Sequence, residues 1–272
     1  MQTTNVSDIE LYLFENLSAF DSITHFVTSR KGGYSKGHFE GLNIGFNVGD
    51  DNWNVLRNRK ILSGATNIPL DSFTFANQCH TSNIHFVGNP LRGCGAADEK
   101  SSLKNTDGMI TSVPGICIAV EAADCVPILL YDSKEHVVAA VHAGWKGTIS
   151  QIAAKAVENL IHCYGSKPAD IFAGIGPSIG PCCYEVGQDV YNEYRYTGFS
   201  KKDIIIPAQQ QGKFFFNLWQ ANKNQLIELG VNPGNIETAA ICTKCNSEKF
   251  FSARASGGKT GRSAAGIMLK KK

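Results

Sequence analysis

The sequence predicts one α+β or α/β domain spanning residues 1–272, built on a substantial mixed sheet. Three observations lead there. Strand-like runs recur along the whole chain, several are continuously apolar, and only three segments carry a long helical period. The strand runs are Leu11–Phe14, His25–Thr28, Phe73–Cys79, Ile116–Glu121, Val126–Tyr131, Val137–Val141, Ile171–Ile175, Phe214–Leu218 and Ile236–Ile241. Unbroken apolar runs of this length fit strands covered on both faces. The first helix is expected from Asn52 to Gly64, capped by Asp50 or Asp51. The clearest helix begins after Gly147. Ile149, Ile152, Ala153, Ala156, Val157, Leu160 and Ile161 form its apolar stripe, with Thr148 as N-cap and Gly165 as stop. The third runs from Trp219 to Leu229 and is ended by Gly230.

Composition narrows the function classes. The chain has 272 residues, 43% of them hydrophobic, which excludes a disordered protein. Size scaling gives about 11,500 Å² of folded surface, so roughly 73% of the unfolded surface is buried and no disulfide staples are needed. Nine cysteines and no secretion signal argue against a disulfide framework and for a cytoplasmic protein. No apolar run reaches membrane-span length. A net charge of +2 lacks the basic stripe of a nucleic-acid protein. The run Lys270, Lys271 and Lys272 reads as a solvated tail.

Three segments place a reactive side chain at or beside an apolar β run: ANQCHTSN at His80, EAADCVP at Cys125 and AVHAGWKG at His142. One thiolate and two imidazoles suit zinc, and three protein ligands leave a fourth position for water or substrate. Read blandly, each is a core or hydrogen-bonded residue, since no local spacing joins them. Cys79 adjoins His80, but strand neighbours point to opposite faces, so His80 is the one expected at the site. The seven histidines contain no His-x-His pair, which disfavours a multicopper cluster. A single copper on the same ligands remains open, as does a metal-free Cys125–His142 hydrolase. Cys242 and Cys245 form one CxxC and Cys182–Cys183 a vicinal pair. Without a partner CxxC these thiols read as mostly structural.

The strings DGMITSVPGICIAVEAADCVPILLYD, VAAVHAGWKGT, GIGPSIGPCCYEVG, ICT, FFSARAS and TGR, with TSRKGGYSKG, LNIGFNVGD and NQCH before them, resemble the YfiH-like, or laccase-domain, family. The resemblance implies two packed sheets flanked by helices, with metal ligands at His80, Cys125 and His142. It also implies a zinc enzyme of purine nucleosides. Its reactions would be phosphorolysis of adenosine, inosine or methylthioadenosine and deamination of adenosine, with copper-dependent phenol oxidation as the older label. The chain departs from the family at Lys146, Cys79, Ala253 and Ala255, where Arg, Val, an aromatic or His, and Arg are usual. Lys146 lacks the bidentate fork of Arg.

For deamination, Asp124, Asp107 and Glu185 are the candidate proton carriers. For phosphate, the candidates are the GWKGT turn at Gly147 and Thr148 with Lys146 or Arg30, and the glycines Gly174, Gly176 and Gly180 of GIGPSIG. Asn43 and Arg262 complete the expected pocket. Each has a structural alternative as a turn or surface residue.

Overall fold

The computed structural model describes residues 1–197 and 204–271, so Lys272 of the basic tail lies outside the described residues. In chain order the strands are β1 (Gln2–Val6), β2 (Ile9–Leu13), β3 (Ile23–Thr28), β4 (Phe73–Thr74), β5 (Ile84–Phe86), β6 (Gly108–Thr111), β7 (Cys117–Ala122) and β8 (Val126–Asp132). They continue with β9 (Val137–Ala143), β10 (Ile171–Ile175), β11 (Glu185–Gly187), β12 (Ile205–Pro207), β13 (Lys213–Phe216), β14 (Ile236–Thr238) and β15 (Ser263–Leu269). The helices are α1 (Glu15–Ser18), α2 (Asn52–Thr66), α3 (Trp145–Ile149), α4 (Ile152–Tyr164), α5 (Gln188–Arg195) and α6 (Leu218–Glu228).

Two six-stranded mixed sheets carry the fold, ordered β1-β2-β3-β15-β7-β4 and β14-β10-β8-β9-β6-β5. The small sheet β11-β13-β12 stands beside them. The period-two alternation explains the unbroken apolar runs. On β8, Leu129 and Tyr131 face the first sheet and meet Ile118, Val120, Ala265 and Ile267. Ile128 and Leu130 face the other way, into a core shared with Ala153, Val157 and Leu160 of α4 and Leu226 of α6. The outer face of the first sheet, with Phe26, Ala119 and Ala264, is covered by Leu62 of α2 and by Ile68 and Phe75. The result is an α/β/β/α layering. Folded surface is 11312 Å², close to the size expectation, and all nine cysteines are free. No helix among the described residues is long and apolar enough to cross a membrane.

Differences from the sequence reading have local causes. β15 pairs with both β3 and β7 at the centre of its sheet, yet Gly266 hides its strand character. A Cβ there would stand 2.5 Å from the Phe26 ring. β4 stops at Thr74 because the next residues turn to other partners: Phe75 N–H donates to Cys94 O at 2.9 Å and Asn77 N–H to Leu103 O at 2.8 Å. The helix expected from Thr148 is broken at Gln151, whose φ is +62°. The break leaves Thr148 buried inside α3, where its carbonyl accepts from Gln225 Nε2 at 2.7 Å, so it is no N-cap. Gly165 ends α4 in the left-handed region as expected, and Asp51 caps α2 through Trp53 N–H at 2.7 Å. The Phe214–Leu218 run ends at Phe216 because Asn217 caps α6, accepting from Gln220 N–H. The Ile236–Ile241 run ends at Thr238, shortly before Ala240 turns to φ +53°.

His25 on β3 gives the fold a pH signature. Its Nε2 accepts the Phe14 N–H at 2.9 Å, and burial lowers its pKa to about 4. A folded pKa below the unfolded value means stability is full above about 6.5 and is lost as pH falls toward 4. Urea midpoints should therefore fall across that window with a slope of about one proton. In His25→Gln that slope should vanish.

Candidate metal centre and its cleft

Sheet register brings two of the three reactive residues together. β8 and β9 are antiparallel, with Val126 opposite Ala143 and Pro127 opposite His142. Cys125, just before β8, therefore meets the end of β9. His80 arrives from the loop after β4 with φ +59°, a left-handed conformation that Asp107 holds in place. The buried Asp107 carboxylate accepts from the backbone N–H groups of Cys79, His80 and Thr81, at 3.2, 3.0 and 2.7 Å. It also bonds His142 Nδ1 at 2.9 Å, which leaves His142 Nε2 to the site. One carboxylate thus fixes the backbone of one ligand and the ring of another, the outer-shell arrangement usual for metal-binding histidine.

The ligating atoms of His80, Cys125 and His142 all lie within 4.8 Å of one another. Cys125 Sγ is 3.7 Å from His80 Nε2. Gly144 makes room for this, since a Cβ there would stand 2.9 Å from His80 Cδ2 and 3.0 Å from Cys125 Sγ. Burial alone would raise the Cys125 thiol, but His142 and His80 bring it down to about 6. Burial alone would lower the His142 pKa, but Cys125 and Asp107 lift it to about 9. Burial also works against the Asp107 charge, and the bonds from His142 and Thr81 override it and hold that carboxyl at about 2. A thiolate and two imidazoles in ligating range fit zinc; His80, Cys125 and His142, all lining the cleft, would hold it and leave a position for water or substrate. Cys79 is outside the set, its Sγ turned to Asn77 Oδ1 at 3.1 Å.

The cleft has a volume of about 360 Å³, within the usual range for small-molecule sites. Besides the three ligands, its chemistry-bearing walls are Gln78, Glu121, Asp124, Tyr184, Arg254 and Arg262. Glu121 accepts from the buried Arg59 Nη2 at 2.5 Å, and Gln78 exchanges two hydrogen bonds with the Glu121 backbone. Burial raises the Glu121 carboxyl against the pull of Arg59 and Arg262. Asp124 has φ +85° and accepts from Thr243 Oγ1 at 2.6 Å and Arg254 N–H at 2.7 Å. It positions the loop that carries Arg254, whose guanidinium lies 5.3 Å from the Tyr184 ring centre.

Several expected pocket residues sit elsewhere. Arg30 donates to the carbonyls of Glu40 and Ser247, lies over Phe251 and is not part of the cleft lining. Asn43 is fully buried and accepts from Arg262 N–H at 2.8 Å, placing Arg262 from behind the cleft wall. Lys146 is exposed on α3, 5.5 Å from the Trp145 ring, and is not part of the lining. Gly147 packs under the His80 loop, where a Cβ would stand 3.1 Å from Thr81 O. The GIGPSIG glycines also face protein atoms: Gly174 meets Phe14, Gly176 meets Pro127 and Gly180 meets Trp219. Glu185 lies in β11, paired with Phe215, away from the lining. Of the expected anion holders only Arg262 lines the cleft. Arg254, Glu121, Gln78 and Tyr184 were not singled out by the sequence reading. Glu121 had a signal, a lone charge in the apolar run ICIAVEA.

Three candidate metal-ligating side chains in a cleft on a two-sheet α/β/β/α frame fit more than one reaction. The family model described as multi-copper polyphenol oxidoreductase laccase matches residues 24–270, and the chain belongs to that family. A purine nucleoside phosphorylase of Bacteroides thetaiotaomicron is 38% identical, covering 95% of this chain and 96% of that one. Adenosine deaminase RL5, from an unknown prokaryotic organism, is 33% identical over 96% of this chain and 100% of its own length. The crystal structure of the Bacillus licheniformis protein YfiH superposes with a TM-score of 0.92 at 36% identity, covering 98% of each chain. Despite the family description, the described residues gather three or more metal-ligating side chains in only two places, this site and a four-cysteine cluster. Neither supplies the many histidines of a multicopper centre.

Proposed function

We propose that the chain is a zinc-dependent enzyme of purine nucleosides, which splits adenosine, inosine or methylthioadenosine with phosphate and also deaminates adenosine. The observation that carries this reading is the juxtaposition in one cleft of an open His80–Cys125–His142 set, two guanidiniums and a carboxyl of raised pKa. The names of the relatives support the substrate class. Zinc on these donors would supply Lewis-acid polarisation and water activation.

The residues divide the remaining work. Arg254 and Arg262 hold the phosphate or the charge that develops on the departing base. Tyr184 gives the purine a flat apolar surface. Glu121 carries the proton. In phosphorolysis a phosphate oxygen bonds to the anomeric carbon, the glycosidic C–N bond breaks, and the purine nitrogen takes a proton. In deamination the oxygen of water bonds to C6 of adenine, the bond from C6 to the amino nitrogen breaks, one water proton leaves in ammonia and the other passes to N1. Asp107 and Asp124 are positioning residues in this scheme, since both oxygens of each carboxylate accept bonds from other groups, whereas Arg59 engages only Oε1 of Glu121.

Chromatography of adenosine reactions with and without phosphate tests the proposal. Phosphate-dependent adenine and phosphate-independent inosine are the expected products. Their absence, or oxidation of phenols by oxygen in their place, contradicts it. Arg254→Ala should raise KM for phosphate about 10-fold or more while leaving deamination less affected.

A second reading is favoured by the lowered Cys125 thiol: a metal-free hydrolase with Cys125 as nucleophile and His142 as its base. It predicts turnover that survives chelation and is abolished by thiol alkylation.

A further inference from the structure

A second set of sulfur atoms lies behind the cleft wall. Cys182 and Cys183 of the GPCC turn meet Cys242 and Cys245 of the CxxC segment, and all four Sγ atoms fall within 4.8 Å of one another. We propose that these four cysteines bind a structural zinc ion, separate from the metal at His80, Cys125 and His142.

The geometry is that of a closed tetrathiolate site. Zinc–sulfur bonds of about 2.3 Å set tetrahedral S···S edges near 3.8 Å. Cys245 Sγ lies 3.4 Å from Cys183 Sγ and 3.7 Å from Cys182 Sγ. Four ligands from protein leave no open position, the pattern of structural rather than catalytic zinc. The vicinal pair replaces the second CxxC, whose absence made the sequence signal weak. Adjacent residues on a strand point apart, but Cys182 and Cys183 lie in a tight turn. Cys183 N–H and Tyr184 N–H both donate to Gly180 O at 2.9 Å, which turns both thiols toward one point.

The surroundings of Cys242 suit a thiolate. Gly180 N–H donates to Cys242 Sγ at 3.2 Å, and Cys245 N–H also bonds that sulfur across the CxxC turn. Such N–H···S bonds are the outer shell that orients thiolate ligands. Gly180 packs closely here: a Cβ would stand 2.8 Å from the Trp219 ring, 3.1 Å from Cys242 Cβ and 3.3 Å from Cys182 Sγ. Binding Zn²⁺ displaces the four thiol protons to solvent and leaves a centre of net charge −2. Arg254 Nη1, against the Cys183 carbonyl at 3.4 Å, is one neighbouring cation.

The site also has a mechanical consequence. It ties together two segments that hold the cleft. The first bears Ile179 and Tyr184, and the second bears Thr243, which bonds Asp124, and continues to Arg254. The segments are also joined by a short bridge between Ser178 and Cys242 and by Arg254 Nη1, which donates to the carbonyls of Cys183 and Glu185. Zinc here would fix Arg254 and Tyr184 without touching substrate.

The test is metal counting by native mass spectrometry on the full chain purified with zinc under reducing conditions. Wild-type protein should carry about two zinc ions, and the His80→Ala/Cys125→Ala double variant should keep one of them. Cobalt substituted into that double variant should show the sulfur-to-cobalt charge-transfer bands of a tetrathiolate. Cys183→Ser/Cys245→Ser should lose this zinc and retain the other. If that variant does not fold, the double variant of the cleft still decides. A double variant with no metal, in which Cys182, Cys183, Cys242 and Cys245 are all free thiols, overturns the proposal. So does a Cys245 disulfide to Cys182 or Cys183 in place of the ion.

Discussion

Cys125→Ala should lose the cleft zinc and both nucleoside activities, with turnover reduced by at least about 10³-fold. That exceeds the 10–100-fold typical of a lost outer-shell partner, because a ligand itself is removed. The fold should survive. Cys125 is only partly buried and lies just before β8, outside the apolar interior that Val126 begins. Cys125→Ser provides a nearly isosteric companion. Metal content and adenine release measured on the same samples check the prediction. Variants that bind no cleft zinc yet turn over adenosine would contradict the assignment of this residue.

Asp107→Asn should have the second largest effect, and on two quantities at once. The carboxylate accepts three backbone N–H bonds, the Thr81 hydroxyl and His142 Nδ1. An amide would turn an NH₂ group toward donors that need acceptors. Zinc affinity should weaken about 10- to 100-fold, as the His80 loop and the His142 ring lose their common anchor. Unfolding free energy should fall by on the order of 3 kcal/mol, because buried donors are left unpaired. Chelator competition and urea unfolding give the two numbers. A variant that loses stability but binds zinc like wild type would reduce Asp107 to a packing role.

The layers of this protein were legible in its sequence because apolar runs and helical stripes report burial directly. β8, β9 and β10 were readable as continuous runs and α4 as a stripe. β15 was not, because Gly266 is dictated by the Phe26 ring across the sheet, which no local pattern reveals. The candidate metal ligands were legible as reactive residues at strand ends. Their convergence was not, since it depends on the β8–β9 register and on the left-handed turn at His80. The anion holders were the weakest reading. Glycine-rich turns look alike whether they approach a phosphate or a Phe14 ring, and the glycines of GIGPSIG do the latter. Arg30 and Arg254 are both arginines next to a turn, and only the tertiary structure shows that Arg254 lines the cleft and Arg30 does not. The cysteine cluster failed for a related reason. A vicinal pair does not read as a chelating pair until the Gly180 turn is seen to fold it.

The proposed adenosine chemistry requires a metal at His80, Cys125 and His142. The measurement that tests it most directly is a zinc titration of chelator-stripped protein, followed by adenine release from adenosine in phosphate. Activity absent before titration and restored in proportion to zinc at these ligands, but not in His80→Ala, is the predicted result. Adenosine turnover that is undiminished in the stripped protein and abolished by alkylation of Cys125 would contradict it.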